Sequence, residues 1–137
     1  DAVLQKLPTR TLQNVAIQAY LAPTADTWSR LQELRTLLRD RLKLATTVAF
    51  GPRYLHSTGQ LHKGGGDNGV FLQFTAADPV DLLIPGEPHS FGVMKAAQAL
   101  GDLQSLQSRM RRALRIHITG NIEAGLRRVL EAVREIK

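Results

Sequence analysis

The sequence predicts an α/β fold: a three-layer sandwich in which a parallel sheet of about four strands is covered by helices on both faces. Three observations point there. Short β-branched runs alternate along the chain with longer stretches of helical period. Aromatic residues make up only 5% of the chain, so the interior must be built from Leu, Val, Ile and Ala, which suits helices packed on a sheet better than a small all-β module. The polar stretch Gly51 to Gly69 is too long for a tight hairpin, and long enough for a crossover containing a short helix around Thr58 to Lys63.

In order, "NVAIQAYLA" from Asn14 carries Val15, Ile17 and Leu21, is ended by Pro23, and reads as a buried strand. The period then changes: Trp28, Leu31, Leu34, Leu38 and Leu42 recur at three or four, predicting a helix over 25–43 with Thr24 as N-cap. "ATTVAF", 45–50, and "GVFLQFTA", centred on 70–75, are the next strands. The connection "ADPVDLLIPGEPHS" is proline-rich and predicts irregular backbone. Ser90 caps a helix over 91–109, "RALRIHITG" alternates as a strand over 113–118, and a last helix over 121–136 places Ile122, Leu126, Val129, Leu130, Val133 and Ile136 on one side. Strands alternating with helices imply parallel pairing through right-handed crossovers. At 137 residues the chain is one domain, with 1–13 as a linker or tail and 14–137 as the folded unit. It starts at Asp1 without an initiator methionine, as an excised piece of a longer chain would.

Composition narrows the function. There is no cysteine, which removes disulfides, thiolate metal sites and a cysteine nucleophile, and fits a reducing cytoplasm. No apolar run approaches a bilayer span, so a soluble protein away from the membrane is expected. The formal charge of +6 raises the question of nucleic acid. However, the basic residues interleave with acids, as in "RLQELRTLLRDRLK", which is the pattern of a solvated helix face. An anionic small molecule is the better partner.

The insert "GPRYLHSTGQLHKGGGDNG" departs most from ordinary helix and strand composition. It leaves the carboxyl end of a predicted strand, where open α/β sheets bind ligands. Ser57 and Thr58 offer hydroxyls before a helical turn whose first N–H groups suit an anion, and the glycines allow close backbone approach. It is neither a P-loop, because Lys63 precedes the glycines and no Ser or Thr follows, nor a dinucleotide fingerprint. His56 and His62 lack nearby carboxylate or thiolate partners, so no metal is expected. His117, inside a strand pattern, reads as structural, and His89 as a cap or loop residue. His62 sits among polar groups and glycines, where a neutral imidazole can exchange a proton near pH 7. A flexible turn remains the plain alternative for "GGGDNG".

"FGPRYLHSTGQLHKGG", followed by "GVFLQFT", "IPGEPHSFGVMKAAQALGD" and "RALRIHI", resembles the C-terminal part of bifunctional transaldolase/glucose-6-phosphate isomerase chains. The likeness runs from about Asn14 to Val133. That family carries a phosphoglucose isomerase built from two sugar isomerase (SIS) domains, and this chain is similar to the second. The resemblance implies interconversion of glucose 6-phosphate and fructose 6-phosphate without a cofactor: the sugar ring opens, then a glutamate moves a proton between C2 and C1 through an enediol. It implies His62 as the ring-opening residue, with Thr58, Gly59 and Gln60 lining the pocket beside Ser57 and His56. Lys63 or Arg53 would contact the sugar or phosphate. Leu61 intervenes between Gln60 and His62 where the family motif is one residue shorter, so His56 stays a rival. The base glutamate, the first SIS domain and the transaldolase domain would all lie upstream, and a homo-oligomer is compatible. The other open reading is a non-catalytic, sugar-phosphate-binding SIS module with a regulatory or docking role.

Overall fold

The structure, a computed structural model, describes residues 12–136. The linker expectation for residues 1–13 therefore falls almost wholly outside the described residues. Of its last two positions, Leu12 is buried in the core, and the Gln13 N–H donates to the Asn68 carbonyl at 2.8 Å.

The elements follow the predicted alternation. They are β1 (Asn14–Tyr20), α1 (Ala25–Leu42), β2 (Ala45–Phe50), a 3-10 turn (Arg53–His56), α2 (Thr58–Gly64), β3 (Gly69–Ala76), α3 (Phe91–Ser108), β4 (Arg112–Ile118) and α4 (Ile122–Glu135). The 3-10 turn is the one element the sequence pattern does not suggest. Between β3 and α3 the proline-rich segment makes no helix and only an isolated bridge from Leu83 to Ser90.

Each long helix starts where a side chain takes over an orphan N–H. Thr24 Oγ1 accepts from the Thr27 N–H at 3.1 Å, Ser90 Oγ from Val93 at 3.2 Å, and Asn121 Oδ1 from Ala124 at 2.8 Å. Helix α1 ends at Lys43, a left-handed residue with φ 55° whose N–H returns to the Arg39 carbonyl. Gly120, with φ 76°, makes the turn into α4, and there a side chain would be strained.

All strand pairs are parallel, in the order β2-β1-β3-β4. One face of the sheet is apolar: Val15, Ile17, Ala19, Val70, Leu72 and Phe74 pack against Leu31, Leu34 and Leu38 of α1 and Leu126, Leu130 and Val133 of α4. A fully buried leucine of this kind contributes about 1.5–3 kcal/mol, so this face carries most of the hydrophobic stabilisation. The opposite face is covered by the 3-10 turn, α2 and α3, and its apolar clusters are small: Ala16, Phe71 and Leu106 in one, Tyr20, Tyr54 and Ala99 in another. The strand order reverses between β1 and β3. The connection after β1 runs to one side and that after β3 to the other, which opens a crevice at their carboxyl ends.

Candidate functional site

The insert begins where Gly51 passes directly over the ring of Tyr20. A Cβ at Gly51 would stand 2.5 Å from that ring, so only glycine permits the approach. The chain then folds back across β1, through the 3-10 turn and α2, to reach the amino end of β3. Two devices fix it. The buried Tyr54 hydroxyl donates to Asp102 Oδ2 at 2.7 Å, with the Tyr20 hydroxyl 3.2 Å away. The Arg111 guanidinium donates to the carbonyls of Lys63 at 3.0 Å and Gly65 at 2.6 Å, satisfying the last carbonyls of α2.

Beneath the insert, the sheet carries a polar row. Gln18, Gln73 and Arg115 stand in direct register on β1, β3 and β4 and face α2 and α3. Gln73 is fully buried and doubly bonded: its Nε2 donates to the Ala99 carbonyl at 3.0 Å, and its Oε1 accepts from Arg115 Nε at 2.8 Å. Gln18 Nε2 lies 3.1 Å from His62 Nδ1, and its Oε1 is buried without a partner. The imidazole, half-buried, also lies against Phe71 with ring centroids 5.0 Å apart. Burial pushes the His62 proton affinity below that of a free histidine, against a weaker opposing pull from Asp102. The neutral ring is therefore favoured at pH 7.

The expected site residues do not converge on one point. His62 and Thr58 share a hollow of about 320 Å³ with Asn14, Asn68 and Phe71. Because Asn14 starts β1, this hollow lies toward the amino ends of the strands, not the carboxyl ends expected for the insert. Arg53, His56, Ser57 and Gln60 are exposed, and Gln60 Nε2 reaches only the Leu55 carbonyl, at 3.4 Å. Gly59 is buried, packed on Tyr54 so closely that an added Cβ would be 3.0 Å from its carbonyl oxygen. Lys63 points the other way from His62. Its Nζ is 2.7 Å from Asp102 Oδ1, whose side chain is 1% exposed.

That last contact completes a cluster of Tyr20, Tyr54, Lys63 and Asp102 that joins the insert to α3. Burial raises the Tyr20 hydroxyl to about 12, and burial together with its two hydrogen-bonded neighbours raises Tyr54 further. Both phenols are protonated donors at any physiological pH. Among the described residues no group of three His, Asp or Glu side chains is placed to hold a metal ion. No described helix is long and apolar enough to cross a membrane.

At the carboxyl ends of β1, β3 and β4 lies a second pocket, of about 380 Å³, lined by Tyr20, Thr75, Lys95, Ala99, Arg115 and His117 among others. Sequence pattern alone singles out none of its polar residues as a site. Gln18 and Gln73 are legible in principle: "NVAIQAY" and "GVFLQFTA" each carry a lone glutamine inside an otherwise apolar strand. A buried amide there requires a partner.

No family model matches the chain, and no curated protein matches it. Among solved structures it resembles the crystal structure of the hypothetical protein TT0462 from Thermus thermophilus, with a TM-score of 0.68 at 16% identity over 97% of this chain. The likeness extends the description of an α/β chain with a parallel sheet to a fold shared with that protein. This chain spans 36% of that protein's length.

Proposed function

We propose that this chain is the second SIS-type half of a glucose-6-phosphate isomerase, working within a longer parent that supplies the base glutamate, the first SIS domain and a transaldolase domain. The motifs of the insert suggest the family. The observation that carries the assignment of roles is the contrast between the two insert histidines: His62 is turned inward, held by Gln18 and kept neutral by burial, whereas His56 is exposed. A neutral, oriented imidazole is the group that can give and take a proton at the sugar ring oxygen near pH 7. The glutamate of the parent then moves the proton between C2 and C1 through an enediol.

No glutamate lines the His62 hollow, so the proton transfer at carbon needs a group from outside this chain. The same fact favours, as second reading, a non-catalytic module that binds sugar phosphate. A coupled assay for conversion of fructose 6-phosphate separates the possibilities. The isolated chain is expected to show negligible turnover and the parent full activity. Near-parent rates from these 137 residues would overturn the need for an outside base, and an inactive parent would leave the non-catalytic module standing.

A further inference from the structure

We propose that the pocket at the carboxyl ends of β1, β3 and β4 binds a compact oxyanion, the phosphate or carboxylate group of a small metabolite, on the guanidinium of Arg115. The proposal stands apart from the isomerase reading, since none of the insert residues assigned to that chemistry lines this pocket.

Arg115 is a half-buried cation without a counter-ion. Its Nε donates to Gln73 Oε1 at 2.8 Å, its Nη2 is buried with no hydrogen-bond partner, and no ion pair among the described residues involves it. The other cation on the pocket wall is paired, and the carboxylate of Asp81 is held by neutral donors and keeps its charge. Lys95 pairs with Asp78, and Asp81 accepts from the Ser90 hydroxyl and from the Gly92 N–H at 2.8 Å. The start of α3 adds no free donor either: the Phe91 N–H goes to the Leu82 carbonyl, Val93 to Ser90 Oγ and Met94 to the Ser90 carbonyl. The unmet demand in this pocket is therefore on Arg115.

Its geometry selects the ligand. With Nε taken by a fixed glutamine and Nη2 closed off from solvent, Nη1 is the nitrogen left to meet an oxygen of a phosphate or carboxylate. Gln73 is itself locked by the Ala99 carbonyl, so the guanidinium is held in place before a ligand arrives. The walls around it are mixed. Ala76, Ala96 and Ala99 offer apolar surface, while Thr75 Oγ1 and His117 Nδ1 lie 2.9 Å apart and leave the second imidazole nitrogen at the rim. A volume of about 380 Å³ suits a small metabolite, and the position beside the β1/β3 reversal is where open α/β sheets bind ligands.

The test is titration of the chain with inorganic phosphate and, separately, acetate at constant ionic strength, followed by amide shifts in nitrogen–proton NMR spectra. Saturable shifts are expected at Thr75, Ala77, Gly92, Arg115 and His117, and the tighter ion identifies the group recognised. Arg115→Gln should weaken binding about tenfold or more, as loss of a charged hydrogen-bonding pair does. Arg109→Gln, an exposed charge outside the pocket, should leave it within about twofold, which separates a site from general attraction to a basic chain. Ala96→Phe keeps Arg115 but fills the pocket and should also abolish binding, so the outcome does not hang on the folding of the arginine variant. Shifts that fail to saturate with either ion, or equal affinity in all three variants, would overturn the proposal. No turnover is measured, so its failure and that of the isomerase reading are distinguishable.

Discussion

Gln18 Nε2 on the central strand β1 donates to Nδ1 of His62 at 3.1 Å, joining the floor of the sheet to the insert. Given that bond, the single proton of the neutral imidazole sits on Nε2. Gln18 is thus a positioning residue. In the parent, Gln18→Leu is expected to lower kcat about tenfold with KM little changed, because the ring remains but its tautomer and orientation are no longer set. Gln18→Glu should move the His62 titration upward by placing a carboxylate beside it. Proton NMR of the His62 ring against pH checks this, and an unmoved titration in Gln18→Glu would dissociate the two residues.

The lowered proton affinity of His62 makes a pH prediction with a definite sign. The unfolded chain binds a proton near the ordinary histidine value of about 6.5, the folded chain only at lower pH. The contribution is complete above about pH 6.5 and is lost as pH falls through the folded value, so stability should rise with pH across that window. Urea melts at pH 5 and pH 7.5 should show this slope, and His62→Gln should flatten it. An unchanged slope in that variant would assign the effect to other groups.

Lys63 and Asp102 differ in depth, with side chains 19% and 1% exposed. Removing the lysine strands a carboxylate that cannot reach water, leaving it only phenolic donors. Removing the charge on Asp102 leaves an ammonium that can extend outward. Lys63→Met is therefore expected to cost about 3 kcal/mol or more, and Asp102→Asn distinctly less. The double variant should recover part of the loss. Chemical denaturation measures all three, and the reverse ranking would mean that the pair does not anchor α2 to α3.

The fold is readable because each element carries its own local code. Leu31, Leu34 and Leu38 fall on one helical stripe, Thr24 and Ser90 are cap residues at the starts of their helices, and β-branched runs mark the strands, whereas the cap role of Asn121 emerges only in the structure. The site is less readable because it is made by register. Gln18, Gln73 and Arg115 are far apart in sequence and become a row only when β1, β3 and β4 align. Lys63 and His62 read as adjacent polar residues of one motif, but neighbours on a helix point about 100° apart. One therefore faces Gln18 and the other Asp102. The carboxyl-end rule holds for the start of the insert, whereas α2 carries His62 across the sheet toward Asn14.

The choice between His62 and His56 is the sharpest test of the catalytic reading. His62 is oriented by Gln18, packed on Phe71 and kept neutral, and His56 is exposed. If His62 transfers the proton at the ring oxygen, His62→Ala in the parent should lower turnover on ring-closed substrate by about two orders of magnitude, the usual contribution of a positioned acid/base group. Proton exchange at C2 of open-chain substrate should suffer much less, because the glutamate performs that step. His56→Ala should weaken activity only modestly. Thermal melts must accompany the kinetics, since a half-buried ring that bonds Gln18 contributes to folding, and a loss of about 1–2 kcal/mol is expected from the unpaired amide. Stopped-flow assays on freshly opened and on equilibrated substrate make the comparison. Equal losses on both forms, or a larger loss from His56→Ala, would remove His62 from the ring-opening step.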